Sequence, residues 1–311
     1  MTDPGDLASL LAAGEQAAFH GKPAAAVGVL EQAVVLARTQ GKAAEMAAAG
    51  WLLGVALGAG GRYGGALTVL SPLVDSGRAV GAPPEHRLFG ALSAATIASV
   101  HRQLGRHGVA RASDLEALEL SGGTGEAGFD AQLGLASDAI GLDEPEEAAG
   151  RLERARALVP PRSDEWWRQR VRLGWTQAEL LLLDGQVDDA VTTALDAVDR
   201  AEQARAPRHV AKGLLILGIA QVSGGQAPDG EGDAASTLRR AATLAESLGT
   251  VPLVWPARAL LGALVVEDDP ADSAKSLAAA RSAVLTLASD LPPGVRAEWL
   301  GRLDVAALLE G

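Results

Sequence analysis

The sequence contains no cysteine and has few aromatic residues and few lysines. Without cysteine, this chain of 311 residues can form no disulfide framework, no thiolate metal site and no cysteine nucleophile. Aromatic residues make up 3% of the chain, which is too few to line an aromatic enzyme cavity. Lysine occurs 4 times, against 23 arginines, 63 alanines and 37 glycines. This bias is typical of GC-rich bacterial genes and says nothing about the protein's mechanism.

Positive charge and long apolar runs are scarce as well. The 39 acidic and 27 basic residues give a net charge of −12, which argues against a nucleic-acid partner because such a partner needs a basic face. The longest apolar stretch, residues 213–222, has 10 residues, half of what a membrane span requires. The first residues are acidic where a signal peptide is basic, so we expect a cytoplasmic protein with no membrane partner.

A spacing of small residues recurs along the chain instead. In the first repeat, Gly14, Gly21, Ala26, Leu30 and Ala33 follow one another at steps of 7, 5, 4 and 3. Six further sets keep this spacing and begin at Gly54, Ala98, Ala136, Ala178, Gly218 and Gly262. The set that begins at Gly218 has four extra residues after Gly225. Steps of 4 and 3 place residues on one face of a helix.

Each repeat is predicted to be two helices joined by a short turn. A glycine at the middle position suits a helix C-cap, and Asp143 and Asp269 precede prolines where a second helix would begin. Strand signals are nearly absent. We therefore expect an all-α fold, a right-handed solenoid of about seven helix pairs within one domain over residues 1–311. The predicted repeats are 6–41, 42–83, 84–123, 124–162, 163–205, 206–249 and 250–290, with an amphipathic capping helix over 292–310 that carries Trp299, Leu300 and Leu303. A non-repetitive alanine-rich bundle is the alternative.

This spacing resembles the tetratricopeptide repeat (TPR). The leucine–glycine pairs at 53–54, 217–218 and 261–262 match the first helix of that family, and the invariant small position of its second helix is matched by Ala26, Ala66, Ala110, Ala148, Ala190, Ala234 and Ala274. The repeat length averages about 41 residues instead of about 34, and alanine or leucine fills most of the aromatic positions. Long repeats of this kind are similar to the TPR-like sensor domains of bacterial MalT-like regulators.

No sequence motif predicts catalysis, a metal or a cofactor. Residues 268–272 fit an acidic DDxxD pattern, but we interpret them as a turn followed by a capped helix. The five histidines lack metal spacing, and we expect them to be solvated or at helix ends. Arginines concentrate between Arg151 and Arg172. They suggest either an anion or acidic-peptide site or, as we favour, a solvated face paired with nearby acids.

The resemblance to TPR proteins implies that the first helices of the pairs line a concave, partner-binding surface. Carried over position by position, it predicts a mostly apolar groove lined by Trp51, Val55, Arg102, Leu133, Arg172, Trp175, Glu179, Leu182 and Ile219. A tightly wound fold that buries its own inner wall is the alternative. A protein or peptide would fill the groove, with a small apolar ligand or a second copy of the chain as other occupants.

We therefore expect a non-catalytic protein- or peptide-binding scaffold. The alternative is a ligand-responsive regulatory (sensor) module that acts on a separate effector chain. An enzyme is the third hypothesis, which no motif supports.

Overall fold

The fold is all-α in a computed structural model that describes residues 6–161, 164–224 and 233–311. No strand occurs within these residues. The helices are α1 (Leu7–His20), α2 (Pro23–Thr39), α3 (Ala43–Ala59), α4 (Tyr63–Arg78), α5 (Pro84–Gln103), α6 (His107–Ser121), α7 (Gly125–Gly141), α8 (Pro145–Leu158), α9 (Trp167–Leu183), α10 (Val187–Gln203), α11 (Pro207–Ser223), α12 (Ala234–Leu248), α13 (Val251–Leu264), α14 (Pro270–Ser289), α15 (Pro293–Leu300) and α16 (Leu303–Glu310). A single 3-10 turn, Asp164–Trp166, precedes α9.

Each predicted repeat contains one pair of these helices. The first repeat holds α1 and α2, and the seventh holds α13 and α14. Within each pair the two helices pack against each other. In most cases the second helix of a pair also packs against the first helix of the next pair. The all-α fold and its helix pairs are therefore confirmed. Gly225, the predicted turn residue of the sixth repeat, lies outside the described residues.

The chain forms two compact halves, residues 1–163 with α1–α8 and residues 164–311 with α9–α16. In each half the first helix of a pair also contacts the first helix of the next pair, as α1, α3, α5 and α7 do in one half and α9, α11 and α13 in the other. We call the side of a half that these helices form its odd-helix face. The single domain over 1–311 stays a prediction.

The two helices of a pair approach closely where a leucine sits against a glycine. A Cβ atom added to Gly14 would lie 2.3 Å from Leu30 Cδ2, and one added to Gly54 would lie 2.3 Å from Leu70 Cδ2. Gly218 faces Leu238 at 2.6 Å in the same way. The leucines are fully buried. The small residues of the repeat are thus needed for close helix packing, as their spacing predicts.

The turns show one departure from the predicted capping. Gly61, Gly105 and Gly185 adopt positive φ angles after the first helix of their pairs, which glycine does without strain. Asp143 also has a positive φ, of 61°, so it ends the turn after α7 instead of capping α8. Aspartate tolerates this conformation better than most side chains.

The acidic segment at 268–272 starts a helix as expected. The carboxylate of Asp269 accepts a hydrogen bond from the backbone N–H of Asp272 at 2.9 Å, and Pro270 is the first residue of α14. The Asp272 carboxylate pairs with Arg239 of α12 at 2.8 Å. Capping and one surface ion pair therefore account for this motif.

The C-terminal segment forms two short helices, and the prediction of one helix over 292–310 is wrong. The helix breaks after Leu300 at Gly301, which lies between α15 and α16. Trp299 is 1% exposed and meets the edge of Trp255, with ring centroids 5.6 Å apart. Leu303 is 91% exposed, and Val305 is fully buried in its place. The cap therefore depends on Trp299 and Val305.

Replacing Gly54 by alanine should destabilise the fold. The new methyl group would overlap the Cγ and Cδ atoms of the fully buried Leu70. Overpacking of this kind costs about 1–3 kcal/mol, more than the gain of about 1 kcal/mol in helix propensity. As a matched control, Gly28→Ala on α2 meets no atom within 4 Å and should stabilise by up to about 1 kcal/mol. Denaturant midpoints measure both effects, and an unchanged or higher midpoint for Gly54→Ala would contradict the packing argument.

Replacing Trp299 by alanine should lower the free energy of unfolding by about 3–5 kcal/mol, because it leaves a large cavity under α15. Leu303→Ala, four residues away, removes an exposed side chain and should change stability by no more than about 0.5 kcal/mol. Calorimetry on both variants tests whether Trp299 closes the end of the seventh pair. Equal melting temperatures for the two variants would rule this out.

Candidate functional site

The nine predicted groove residues all lie on odd-numbered helices. Trp51 and Val55 are on α3, Arg102 on α5 and Leu133 on α7 of the N-terminal half. In the C-terminal half, Arg172, Trp175, Glu179 and Leu182 are on α9 and Ile219 is on α11. Leu133 and Trp175 are buried, and the other seven are half-buried. Any partner surface here is therefore built from the partly covered edges of these side chains.

Trp51 joins three successive odd-numbered helices of the N-terminal half. Its ring centroid lies 6.4 Å from that of Phe19 on α1 and 6.2 Å from that of Phe89 on α5. Its indole N–H donates to Thr96 Oγ1 at 3.2 Å. The polar end of Trp51 is thus satisfied within the fold, and its apolar body fills the space between helices.

Arg102 is the centre of a buried charged cluster on α5, α6 and α7. Its Nη1 lies 2.9 Å from Asp114 Oδ2 and 2.8 Å from Asp138 Oδ2, and it donates to the carbonyl oxygen of Gly134 at 2.9 Å. Both carboxyl groups are fully buried. His107 Nδ1 lies 3.3 Å from Asp138 Oδ1. The predicted groove residue Arg102 therefore holds two buried acids.

Two glycines of α7 make room for this cluster. A Cβ on Gly134 would lie 2.2 Å from Asp114 Oδ2, and one on Gly141 would lie 2.2 Å from His107 Cε1. Sequence reasoning missed the cluster, although a signal was present. Asp114 occupies the repeat position that holds leucine in four other repeats, as at Leu30 and Leu70.

Two buried carboxylates with one arginine leave an excess negative charge, and this raises the pKa of one of them. Burial raises the pKa of Asp114 well above its usual value, and the charge of Asp138 raises it further, against the opposing attraction of Arg102. Asp114 therefore keeps its proton to a higher pH in the folded protein than in the unfolded chain. Burial acts to lower the pKa of Arg102, but the charges and hydrogen bonds of the two acids together outweigh it and raise the pKa, so Arg102 stays charged.

An aromatic cluster lies between α9 and α11 in the C-terminal half. The His209 ring stacks on Trp175 with centroids 5.5 Å apart and meets the edge of Trp167 at 4.9 Å. Lys212 Nζ lies 5.2 Å from the centroid of the Trp175 ring. His209 is the third residue of α11 and so lies at a helix end, as expected, but it is 3% exposed because the two tryptophans cover it.

Positive charge gathers next to this aromatic cluster. Arg168 and Arg172 lie one turn apart on α9, and Arg208 and Lys212 lie one turn apart on α11. Burial, and the positive charges of Arg168 and Arg172, lower the pKa of Arg208 to about 10. The Arg208 Nε is buried and has no hydrogen-bond acceptor among the described residues. The sequence offered one signal for this group of basic residues, because Arg208 directly follows Pro207, the proline that starts a helix.

The arginines near 151–156 behave as the solvated face that we favoured. Arg151 pairs with Glu147 at 2.6 Å, and Arg156 pairs with Glu153. Arg162 lies outside the described residues. The early members of the stretch therefore pair with acids on their own helix, and the positive charges of Arg168 and Arg172 also act on Arg208.

The described residues form no group of three or more His, Asp or Glu side chains that could hold a metal ion. No helix in this part of the chain is long and apolar enough to cross a membrane. In comparisons with known proteins, neither a family model nor a curated protein matches the chain.

Asp114→Asn should change how stability depends on pH. A carboxyl group whose pKa is raised in the folded state contributes stability that is fully present below its unfolded pKa of about 4 and is lost as the pH rises through the folded value. The free energy of unfolding of the wild type should therefore fall, relative to Asp114→Asn, as the pH rises above about 4. Denaturation at a series of pH values measures this difference.

The matched control is Asp75→Asn, which changes a carboxylate that is 71% exposed in the same half. Its stability profile should run parallel to that of the wild type. A parallel profile for Asp114→Asn as well would mean that Asp114 is ionised in the folded protein.

Proposed function

We propose that this protein is a non-catalytic TPR-like scaffold that binds a protein or peptide through its odd-numbered helices. The observation that carries the proposal is the face of α9 and α11, where Lys212 of α11 lies 5.2 Å from the Trp175 ring and Arg172 lies about one turn before Trp175 on α9. Tryptophan and arginine are the residue types most enriched in binding hot spots. The likeness to TPR repeats, whose first helices face the partner, supports the same location.

The side chains around Trp175 suit a peptide with both polar and apolar groups. Arg172 and Glu179 lie about one turn to either side of Trp175 on α9, and both are half-buried. Leu182 and Ile219 add half-buried apolar surface on the same two helices. A charge of each sign beside an apolar strip would orient an extended peptide and select its direction.

The second candidate is a ligand-responsive sensor module that acts on a separate effector chain. It is favoured by the buried cluster of Arg102, Asp114 and Asp138, because Asp114, whose pKa is raised, can gain or lose a proton inside the N-terminal half. A switch needs an element of this kind. Co-purification of a small molecule with the native protein would favour the sensor, and co-purification of a protein would favour the scaffold.

Trp175→Ala should weaken the binding of a peptide selected from a randomised display library by about 2 kcal/mol, the usual effect of removing a buried aromatic anchor. Titration of one selected peptide against wild type and variant measures the loss. Arg239→Ala changes an arginine on α12 whose side chain is 47% exposed, and it should leave affinity unchanged.

A second control separates binding from folding, because Trp175 is 8% exposed and its loss also weakens the fold. Leu238→Ala removes a fully buried side chain of α12 and should lower stability without changing the affinity of the folded protein. Equal affinity of Trp175→Ala and wild type would mean that this face is packed core and that the partner binds elsewhere.

A further inference from the structure

Charged groups tie α7 to the two helices before it. Arg102 comes from α5, Asp114 from α6 and Asp138 from α7, and both carboxyl groups are fully buried. Arg102 Nη1 also donates to the backbone carbonyl oxygen of Gly134 on α7 at 2.9 Å. Asp114 stands at the repeat position that holds leucine in four other repeats. The packing at this position therefore depends on charge, where a leucine would make it apolar.

One oxygen of each acid lacks a hydrogen-bond donor. Asp114 Oδ1 and Asp138 Oδ2 are buried, and neither accepts a hydrogen bond among the described residues, although Arg102 Nη1 lies 2.8 Å from the second of these oxygens. An ionised carboxylate can only accept hydrogen bonds, so two ionised acids would leave both atoms incomplete. A proton on one acid makes it a donor to the other. Burial, and the charge and hydrogen bond of Asp138, raise the pKa of Asp114 against the attraction of Arg102, in agreement with such a proton.

The other charged groups around the two acids are on α5, α6 and the turn before α8. Arg102 of α5 is always charged. His107 Nδ1 on α6 lies 3.3 Å from Asp138 Oδ1 and adds a positive charge only while it is protonated. The pKa of Arg111, also on α6, is raised mainly by its pairing with Glu144, the residue before α8, and to a smaller extent by the charge of Asp138. With His107 neutral, the two acids therefore balance Arg102 only when one of them holds a proton.

We propose that Asp114 and Asp138 share one proton, which keeps α7 closed against α5 and α6, and that loss of this proton releases α7 from them. Loss of the proton leaves a second negative charge buried between the helices, and burying an uncompensated charge is costly. A Cβ atom on Gly134 would lie 2.2 Å from Asp114 Oδ2, so the carboxyl group lies directly against the backbone of α7. Water can therefore reach an ionised Asp114 only when α6 and α7 move apart. We call this device the proton latch.

The proton latch goes beyond the proposed peptide binding, which is assigned to the face of α9 and α11 in the other half of the chain. It describes two states of the N-terminal half, one closed at low pH and one in which α7 has opened at higher pH. Protonation of buried groups switches proteins in this way when a bistable element is coupled to the charge. The latch needs no ligand, so the protein alone is sufficient for its test.

The test is hydrogen exchange of the backbone amides of the full chain, corrected for the intrinsic dependence of exchange on pH. Local opening is detected when one helix exchanges more readily than others in the same fold. The opening equilibrium of α7 should rise by up to about tenfold per pH unit between about pH 4, where an exposed aspartate ionises, and the higher value at which Asp114 ionises in the closed state. The amides of α2, in the same half, should keep more protection than those of α7. Equal protection of α2 and α7 at every pH would mean that the proton affects only global unfolding, and the latch would be wrong.

Two variants assign the response to the acid pair. Asp114→Asn has an amide that can donate to Asp138 as a protonated carboxyl group does, and it has no proton to lose. It should therefore keep α7 closed, and the pH-dependent opening should disappear. His107→Gln removes the other titratable group beside Asp138 and should keep the opening. Persistence of the opening in Asp114→Asn, or its loss in His107→Gln, would each overturn the proposal.

A measurement on the wild type keeps the proposal testable if Asp114→Asn does not fold. Carbon NMR of the aspartate carboxyl groups should show one aspartate that stays protonated at a pH at which exposed aspartates have ionised. Ionisation of every aspartate near pH 4 would mean that no proton is held, and the latch would be wrong. The proposed scaffold function is tested separately through Trp175, so it stands if the latch fails, and the latch stands if peptide binding fails.

Discussion

The close contact between a leucine of one helix and a glycine of its partner is the constraint on which this fold depends. Gly14 with Leu30, Gly54 with Leu70 and Gly218 with Leu238 repeat the same contact in three pairs. A side chain on the glycine would push the helices apart, so the first helix of each pair must stay small on the side that faces its partner. Its other side is then the one that can carry larger residues, and Trp51, Trp175 and Arg102 lie on such helices. Close packing and the location of candidate function therefore have the same origin.

The third pair shows what happens when this contact changes. Asp114 replaces the leucine and reaches across to Gly134 of α7, where a fully buried carboxyl group must be compensated. Arg102 supplies the charge, and Asp138 shares it. Such a network adds little net stability compared with an apolar core, but breaking it by removing one partner is strongly destabilising. It fixes the relative positions of α5, α6 and α7 more specifically than a leucine could.

The spacing of small residues predicted all seven helix pairs because it reports which residues share a helix face. It could not report contacts between helices distant in sequence. The burial of His209 depends on Trp167 and Trp175 from a neighbouring pair. Likewise Trp299, just before the break at Gly301, is buried against Trp255 of an earlier helix. A left-handed turn at Asp143 was missed because aspartate is common both in turns and at helix starts. The nine groove residues were placed on the expected helices, while Asp114 and Arg208 had to be read from three-dimensional surroundings.

Arg102 in the N-terminal half and Arg208 in the C-terminal half differ in how the protein compensates their charge. Arg102 has two carboxylates and a carbonyl oxygen within 2.9 Å of its Nη1, all supplied by the protein, so its charge is compensated in the folded state. Arg208 has neighbours of its own sign and a buried nitrogen without an acceptor in the described residues. A buried polar group that the fold leaves without a partner weakens the free protein. The two arginines therefore differ in how far the protein itself compensates their charge.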